Sequence, residues 1–176
     1  MIFKNKRILI TGGTGSLGQQ LTKRILSFEE GKPKKVIIFS RDEAKQHQMR
    51  LEFKNEGVAT DEVIYKQASE ILEFMIGDVR NPETLHVALK DTDIVINAAA
   101  LKQVPTCEYF PMEAVSTNIL GANNIASIIT RYKLPVEIVV GVSTDKACKP
   151  VNIMGMTKSI QERILIEANL KNKKTR

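Results

Sequence analysis

Three glycines constrain this chain more than anything else in it. Gly12, Gly15 and Gly18 recur every third residue in TGGTGSLG (residues 11–18), directly after the apolar run RILIT (7–11) and directly before an amphipathic stretch. A strand that turns sharply into a helix needs one glycine for the turn, one where backbone must approach a diphosphate, and one where helix and strand pack closely. The helix N-terminus that follows offers free N–H groups and the positive end of a helix dipole. Gly12, Thr14, Gly15, Ser16, Leu17 and Gly18 are therefore the expected phosphate-binding turn of a dinucleotide site. A glycine pattern alone is weak; its place at the first strand–helix junction strengthens it.

The rest of the chain repeats that alternation. Short β-branched runs at 7–11, 36–40, 72–78, 93–100 and 136–143 read as strands. Between them, 16–28, 42–56, 82–89, 112–130 and 152–172 read as helices, with Leu17, Leu21, Ile25 and Phe28 on one face of the first and Met49 and Phe53 inward on the second. Residues 57–71 hold a short extra segment around 61–69 without a motif. Strands alternating with helices imply an α/β fold, a Rossmann-type doubly wound parallel sheet in three αβα layers, in the order 3-2-1-4-5. No repeat or linker divides it, so 1–176 is expected to be one NAD(P)-binding Rossmann domain. A sixth strand would come next in such a sheet, and the chain ends before it. The isolated chain is expected to expose an apolar sheet edge there, and to associate or be marginally stable.

Composition excludes other classes. The chain has 176 residues, 43% hydrophobic and 26% charged, which suits a protein with a packed core. No apolar run approaches the ~20 residues of a membrane span, and the N-terminus lacks the long apolar stretch of a secretory signal. Two cysteines, Cys107 and Cys148, and two histidines, His47 and His86, are too few and too scattered for a disulfide framework or a metal site. A cytoplasmic location is expected. The formal charge is +6, but Lys171, Lys173, Lys174 and Arg176 supply four of those charges, and without them the balance falls to +2. The basicity thus reads as a solvated tail, and with 5% aromatics a nucleic-acid partner is not expected.

The end of the second strand selects the nucleotide. Where NAD proteins commonly carry an acid for the ribose hydroxyls, this chain has Ser40 and Arg41, with Lys45 one helical turn on. Arginine binds phosphate through paired, charge-assisted hydrogen bonds, so NADP is expected. Solvated decoration of a helix start is the alternative for Arg41 and Lys45, and Asp42 keeps NAD possible. Asp78, in GDVR after the third strand, either accepts from an adenine amino group, beside Val79, or caps the next turn. The small side chains of Ala98, Ala99 and Ala100 let backbone pass close to a cofactor.

TGGTGSLG, SRDE, GDVR, AAALKQVP, CEYFP, and STDKA followed by Pro150, Asn152, MG and TK resemble, in order, the motifs of the UDP-N-acetylglucosamine 4,6-dehydratases of bacterial surface-polysaccharide synthesis, within the extended short-chain dehydrogenase/reductase superfamily. CEYFP and NIMG look most like the capsule-type branch, whose members can also epimerise C5. The resemblance runs from about Lys6 to Lys158. It implies an NADP-dependent lyase on UDP-N-acetylglucosamine: C4 is oxidised by the cofactor, water is lost across C5–C6, and the hydride returns to C6. It also implies a homo-oligomer. Members of the family are much longer, with a C-terminal portion that binds much of the nucleotide sugar.

The resemblance implies Asp145 as the acid toward the C6 hydroxyl and Lys146 as the base at C5. For those roles burial must keep Asp145 partly protonated, and desolvation or nearby positive charge, such as that of Lys158, must deprotonate Lys146. Without the motif the pair reads as a structural ion pair. Lys158 follows, four residues on, a position where the superfamily usually has Tyr and this chain has Met154. Met154 has no proton to exchange and is expected to line the substrate site as an apolar contact. The base for the C4 hydroxyl is then Asp145, Lys146 or a water held by Thr144. Lys158 and Ser143 are expected at the nicotinamide end, and Lys102 at the nicotinamide or sugar. Asn118 is expected to orient backbone or water there. Tyr109 is expected to pack, and Glu108 and Pro111 to shape the loop and the helix start. A related nucleotide-sugar epimerase or reductase, or an NADP-binding fragment without turnover, are the competing readings.

Overall fold

In a computed structural model, residues 1–55, 70–172 and 174–176 are described. Five parallel strands stand in the order β3-β2-β1-β4-β5: β1 (Arg7–Thr11), β2 (Lys35–Ser40), β3 (Leu72–Ile76), β4 (Ile94–Asn97) and β5 (Ile138–Gly141). Central β1 pairs on both sides, Ile8 lying beside Val36 and Ile94. The two-residue pleat sends Ile8 and Ile10 to one face and Leu9 to the other. On the first face they pack with Ile25 and Leu26 of α1 (Ser16–Leu26) and with Met49 and Phe53 of α2 (Glu43–Asn55). On the second, Leu9, Ile37 and Phe39 meet Leu85 and Leu89 of α3 (Pro82–Leu89), and Ile125 and Ile129 of α6 (Gly121–Tyr132). Burying each such side chain stabilises by about 1.5–3 kcal/mol, and with both faces covered the strands read as unbroken apolar runs.

Element ends depart from the expected spans for local reasons. The first helix stops at Leu26, because Phe28 takes φ +59°. Strand β3 ends at Ile76; Gly77 lies against the Phe39 ring, where a Cβ would come within 2.3 Å. Strands β4 and β5 are shorter than 93–100 and 136–143. The stretch expected as one helix over 112–130 is preceded by α4 (Val104–Tyr109) and is itself composite: α5 (Pro111–Ala114), a π-helical turn (Val115–Leu120), then α6. Pro105 and Pro111 each open a helix, as proline at a first turn does, and Phe110 between them is non-helical. Helix α7 (Ile153–Lys171) starts at Asn152, whose side chain accepts from the Gly155 N–H at 2.8 Å. The extra segment expected around 61–69 lies outside the described residues.

The basic tail is not wholly solvated. Arg176 donates its N–H to the Glu137 carbonyl (2.8 Å) and accepts from the Val139 N–H (2.7 Å), bracketing Ile138 in the manner of a parallel ladder. The buried Thr175 hydroxyl donates to the Val136 carbonyl at 2.7 Å. Thr175 and Arg176 thus occupy the sixth-strand place beside β5, and that part of the edge expected to be open is paired. Among the described residues no helix is long and apolar enough to cross a membrane.

Candidate functional site

The glycine turn is built against the end of β4. Gly12 has φ +64°, and a Cβ there would lie 2.8 Å from the Ala99 backbone; one on Gly18 would lie 2.3 Å from the Gly13 carbonyl oxygen. Both positions exclude any larger residue. Thr11 locks the two strand ends together: its hydroxyl donates to the Asn97 amide oxygen at 2.6 Å and accepts from the Ala99 N–H at 3.3 Å. Helix α1 begins at Ser16 with no side-chain cap and no acid in its first turn. Its N–H end is therefore available to an anion.

Gly12, Thr14, Gly15, Arg41, Lys45, Asp78 and Val79, together with Ala98, Ala99, Ala100 and Lys102, line one cleft over the carboxyl edge of the sheet. The sequence reading had missed Phe39, Gly77 and Thr117 in the same wall. Ser40 and Asp42 line the same cleft. Ser40 is fixed within the wall. It is buried, its hydroxyl lies 3.0 Å from that of Thr14, and it accepts from the Asp42 N–H. It ties the phosphate turn to β2, leaving Arg41 and Lys45 as the outward cations. Asp42 accepts from the Lys45 N–H at 3.0 Å and lies 3.3 Å from Lys45 Nζ. That N–H, with the Lys45 side chain, holds its carboxyl below the usual range against the opposing effect of desolvation.

Asp78 joins two arginines. Arg80 grips it through Nε (2.9 Å) and Nη2 (2.7 Å), and Arg41 stands 3.8 Å away. Burial works to raise the Asp78 carboxyl, but the Arg80 side chain and N–H, with Arg41, hold it below the usual range. Arg80 also reaches Glu113 of α5 at 2.7 Å, so this end of the cleft is tied to the helices beyond β4. Val79 is fixed by the Asn124 side chain, which donates to its carbonyl at 3.0 Å.

A second group of residues gathers at β5 and the start of α7. Asn118, in the π-helical turn, is wholly buried. It accepts from the Leu101 N–H (2.8 Å) and donates to the Leu101 carbonyl (3.0 Å) and the Thr157 hydroxyl (2.9 Å). It orients backbone, as expected, and the wider turn sets it between the 101 loop and α7. Glu108 accepts from the Ile153 N–H at 2.8 Å, pinning α4 to the start of α7. Gly155 lets α7 lie against the short 3-10 turn Asp145–Ala147, since a Cβ would sit 2.2 Å from the Lys146 carbonyl oxygen.

Several expectations are corrected here. Asp145 is not buried: its side chain is 85% exposed. The Thr144 hydroxyl donates to it at 2.9 Å, and that bond, with Lys146 3.4 Å away, holds its carboxyl below the usual range rather than above it. Lys146 is also half exposed, because the 3-10 turn stands at the open mouth of the sheet. Met154 does not line the cleft. It is 5% exposed and packs with Cys107 and Ala114 beneath Leu101 and Val104, because position 154 on α7 faces inward at the same height as that small cluster. Tyr109, expected to pack, is 81% exposed.

Lys158 is 4% exposed, and burial pushes its ammonium down to about 8 against the opposing effect of Glu162. It donates to the Val142 carbonyl and, at 2.7 Å, to the Gln161 side-chain oxygen. Ser143 donates to Glu162. Gln161 and Glu162 were not singled out in the sequence, though Gln161 stands three residues after Lys158 and so shares its face of α7. Cys107 and Cys148 are free, and burial raises the Cys107 thiol. Among the described residues no cluster of His, Cys, Asp and Glu could hold a metal ion.

Residues 8–176 match the family of polysaccharide biosynthesis proteins. Over 99% of its length the chain is 45% identical to a UDP-N-acetylglucosamine 4,6-dehydratase (inverting) of Campylobacter jejuni subsp. jejuni serotype O:23/36 (strain 81-176), of which it covers 48%. It is 46% identical, over 94% of its length, to a UDP-glucose 4-epimerase of Rickettsia bellii (strain OSU 85-389), of which it covers 44%. The chain thus spans about half the length of the curated relatives it matches. Among solved structures, Pen from Bacillus thuringiensis superposes with a TM-score of 0.84 at 35% identity, covering 99% of this chain and 48% of that one. DesIV, a dTDP-glucose 4,6-dehydratase from Streptomyces venezuelae solved with NAD and TYD bound, superposes at 0.74 with 19% identity, over 93% of this chain and 52% of that one, and shares the fold. The chain belongs to the polysaccharide biosynthesis protein family, within the extended short-chain dehydrogenase/reductase superfamily.

Proposed function

We propose that this chain is the NADP-binding portion of a nucleotide-sugar 4,6-dehydratase whose substrate is UDP-N-acetylglucosamine. The observation that carries this reading is the Asp145–Lys146 pair at the carboxyl end of β5, beside an α7 whose sequence has Met154 and Lys158, both buried, at the positions where Tyr and Lys usually stand. A buried methionine cannot take a proton from a C4 hydroxyl, so simple tyrosine-dependent alcohol oxidation does not fit these residues. The glycine turn suits a dinucleotide, because Gly12 and Gly18 leave room that a Cβ would fill and α1 is uncapped. Arg41 and Lys45 are the groups for a 2′-phosphate, and Lys158 is the group for the nicotinamide ribose.

Bound NADP supplies the hydride acceptor at C4 and the hydride donor at C6. Lys146 takes the C5 proton, which the 4-keto group has acidified. Asp145 gives a proton to the C6 hydroxyl, which leaves as water. Asp145 here is ionised and held by Thr144, so the acid role needs a sugar covering the turn to desolvate the carboxyl and compete for the Thr144 hydroxyl. The C4 proton goes to Asp145, Lys146 or a water on Thr144.

The relative named as a UDP-glucose 4-epimerase, at similar identity, favours a second reading, C4 epimerisation after the same first oxidation. A single experiment separates them. A protein carrying this chain is incubated with NADP and UDP-N-acetylglucosamine in deuterated water and the product is read by NMR. A 4-keto-6-deoxy sugar labelled at C5 supports the dehydratase; an unlabelled C4 epimer supports the epimerase and refutes the first reading.

A further inference from the structure

We propose that Gln161 is a positioning residue for Lys158, its side-chain amide holding the Lys158 ammonium against the carbonyl end of β5. The three groups close a ring: Lys158 Nζ donates to the Val142 carbonyl and to Gln161 Oε1 (2.7 Å), while Gln161 Nε2 donates to the same Val142 carbonyl (3.2 Å). Gln161 is 1% exposed and both ends of its amide are used. A buried amide with no other partner in reach would be costly to leave unpaired, so side chain and ammonium hold each other in place. Space for the amide comes from the strand itself. A Cβ on Gly141 would lie 3.2 Å from Gln161 Nε2 and 2.3 Å from the end of Leu165. In this arrangement Lys158 is not part of the wall of the dinucleotide cleft.

The charges around Lys158 leave Gln161 a clear part. Glu162, on the same helix, is the acid that favours the charged ammonium, and its carboxylate is shared with the Ser143 hydroxyl. From the 3-10 turn come Asp145 and Lys146, exposed and paired with each other. The π-helical turn brings only the neutral Asn118, committed to Leu101 and Thr157. From α4, Glu108 is committed to the Ile153 N–H. Gln161 is therefore the side chain whose contact fixes both the place of the ammonium and part of its preference for the proton.

The test uses the 176-residue chain labelled with 13C-lysine, without cofactor. The Lys158 side-chain signal, assigned by its loss in Lys158→Met, is titrated with pH. The wild-type midpoint is expected near 8. Gln161→Met keeps the volume and removes the acceptor, and is expected to lower the midpoint by about one pH unit. Gln161→Glu keeps the shape and adds a charge, and is expected to raise it by about one to three. Opposite movements support the proposal. Unmoved midpoints, or movement in one direction for both, overturn it. Should the methionine variant not fold, the glutamate variant decides alone, an unmoved midpoint refuting the proposal. The value of Gln161 to cofactor binding rests on the reading of Lys158 given above, and the pH profile of NADPH binding tests that separately. If the NMR midpoints move and the NADPH profile does not, Gln161 positions Lys158 but Lys158 does not serve the cofactor.

Discussion

Replacing Lys158 with methionine separates a buried charge from its surroundings by way of pH. Burial lowers the ammonium from 10.5 in the unfolded chain to about 8 in the folded one. Below 8 both states carry the proton, and the folded state bears the cost of a buried charge. Between 8 and 10.5 the unfolded chain holds a proton that the folded chain has released, so wild-type stability rises with pH across that window. The slope is about 1.4 kcal/mol for each pH unit, and the whole window is worth roughly 3 kcal/mol. Lys158→Met lacks this contribution. It also strips a donor from Gln161 Oε1 and from the Val142 carbonyl, but that cost, about 1–3 kcal/mol, does not change with pH. Urea denaturation of both proteins at pH 7, 8, 9 and 10 gives the difference directly, and the other lysines cancel. The stability of wild type minus that of the variant should stay flat to pH 8 and then rise with pH, whichever protein is the more stable at the start. A difference that stays constant to pH 10, or falls, would show that Lys158 keeps an ordinary affinity for its proton and that its burial carries no such cost.

Arg41→Ala should weaken NADPH binding by about ten- to a hundredfold while leaving NADH nearly unchanged in fluorescence titrations; equal losses for both would deny Arg41 the 2′-phosphate. In a complete protein bearing these residues, Lys146→Ala should slow C5 hydrogen exchange into deuterated water by ~10²–10⁴ with NADPH affinity unchanged, and exchange at the wild-type rate would remove Lys146 from the base role. Asn118→Ala should cost about 2–3 kcal/mol in urea denaturation, because it leaves both backbone groups of Leu101 and the Thr157 hydroxyl without their buried partner; a loss under half that would show that the 101 loop is held by something else.

What could be read from the residues, and what could not, follows from which forces act locally. The parallel sheet was legible because strands covered on both faces must be apolar throughout, and RILIT and VIIFS are. The glycine turn was legible because backbone clashes, such as that of Gly12 with Ala99, admit no substitute. The composite helix was not. A π-helical turn leaves little trace in a 3.6-residue pattern, and the Asn118 bonds to Leu101 and Thr157 that accompany it join residues far apart in the chain. Met154 was misplaced because spacing gives the face of α7 but not what stands opposite, which is Cys107 and Ala114 rather than open cleft. Ser40 was legible as a residue of the cleft, but its bond to the Thr14 hydroxyl, 26 residues away, was not. Arg176 read as tail because a charged side chain says nothing of a backbone paired to Glu137 and Val139.

The cleft and the β5 edge beside it differ in how finished they are. In the cleft the charges already have partners: Asp78 is gripped by Arg80, Arg80 by Glu113, and Asp42 caps the turn that carries Lys45. On the proposed reading, such a preformed framework would hold a dinucleotide at little cost in ordering. At the β5 edge, burial and exposure stand side by side on neighbouring turns. Lys158 is enclosed and its proton is set by its surroundings, whereas Asp145 and Lys146 face solvent and neutralise each other. The Thr144 hydroxyl and the Lys146 ammonium hold the exposed Asp145 carboxyl below its usual range, the opposite of what an acid needs. On the proposed reading, the protonation states that dehydration requires would then come from whatever covers the 3-10 turn when a sugar binds. Binding and acid–base activation would be one event at Asp145 and Lys146, while cofactor affinity, resting on groups already in place, would be nearly independent of it.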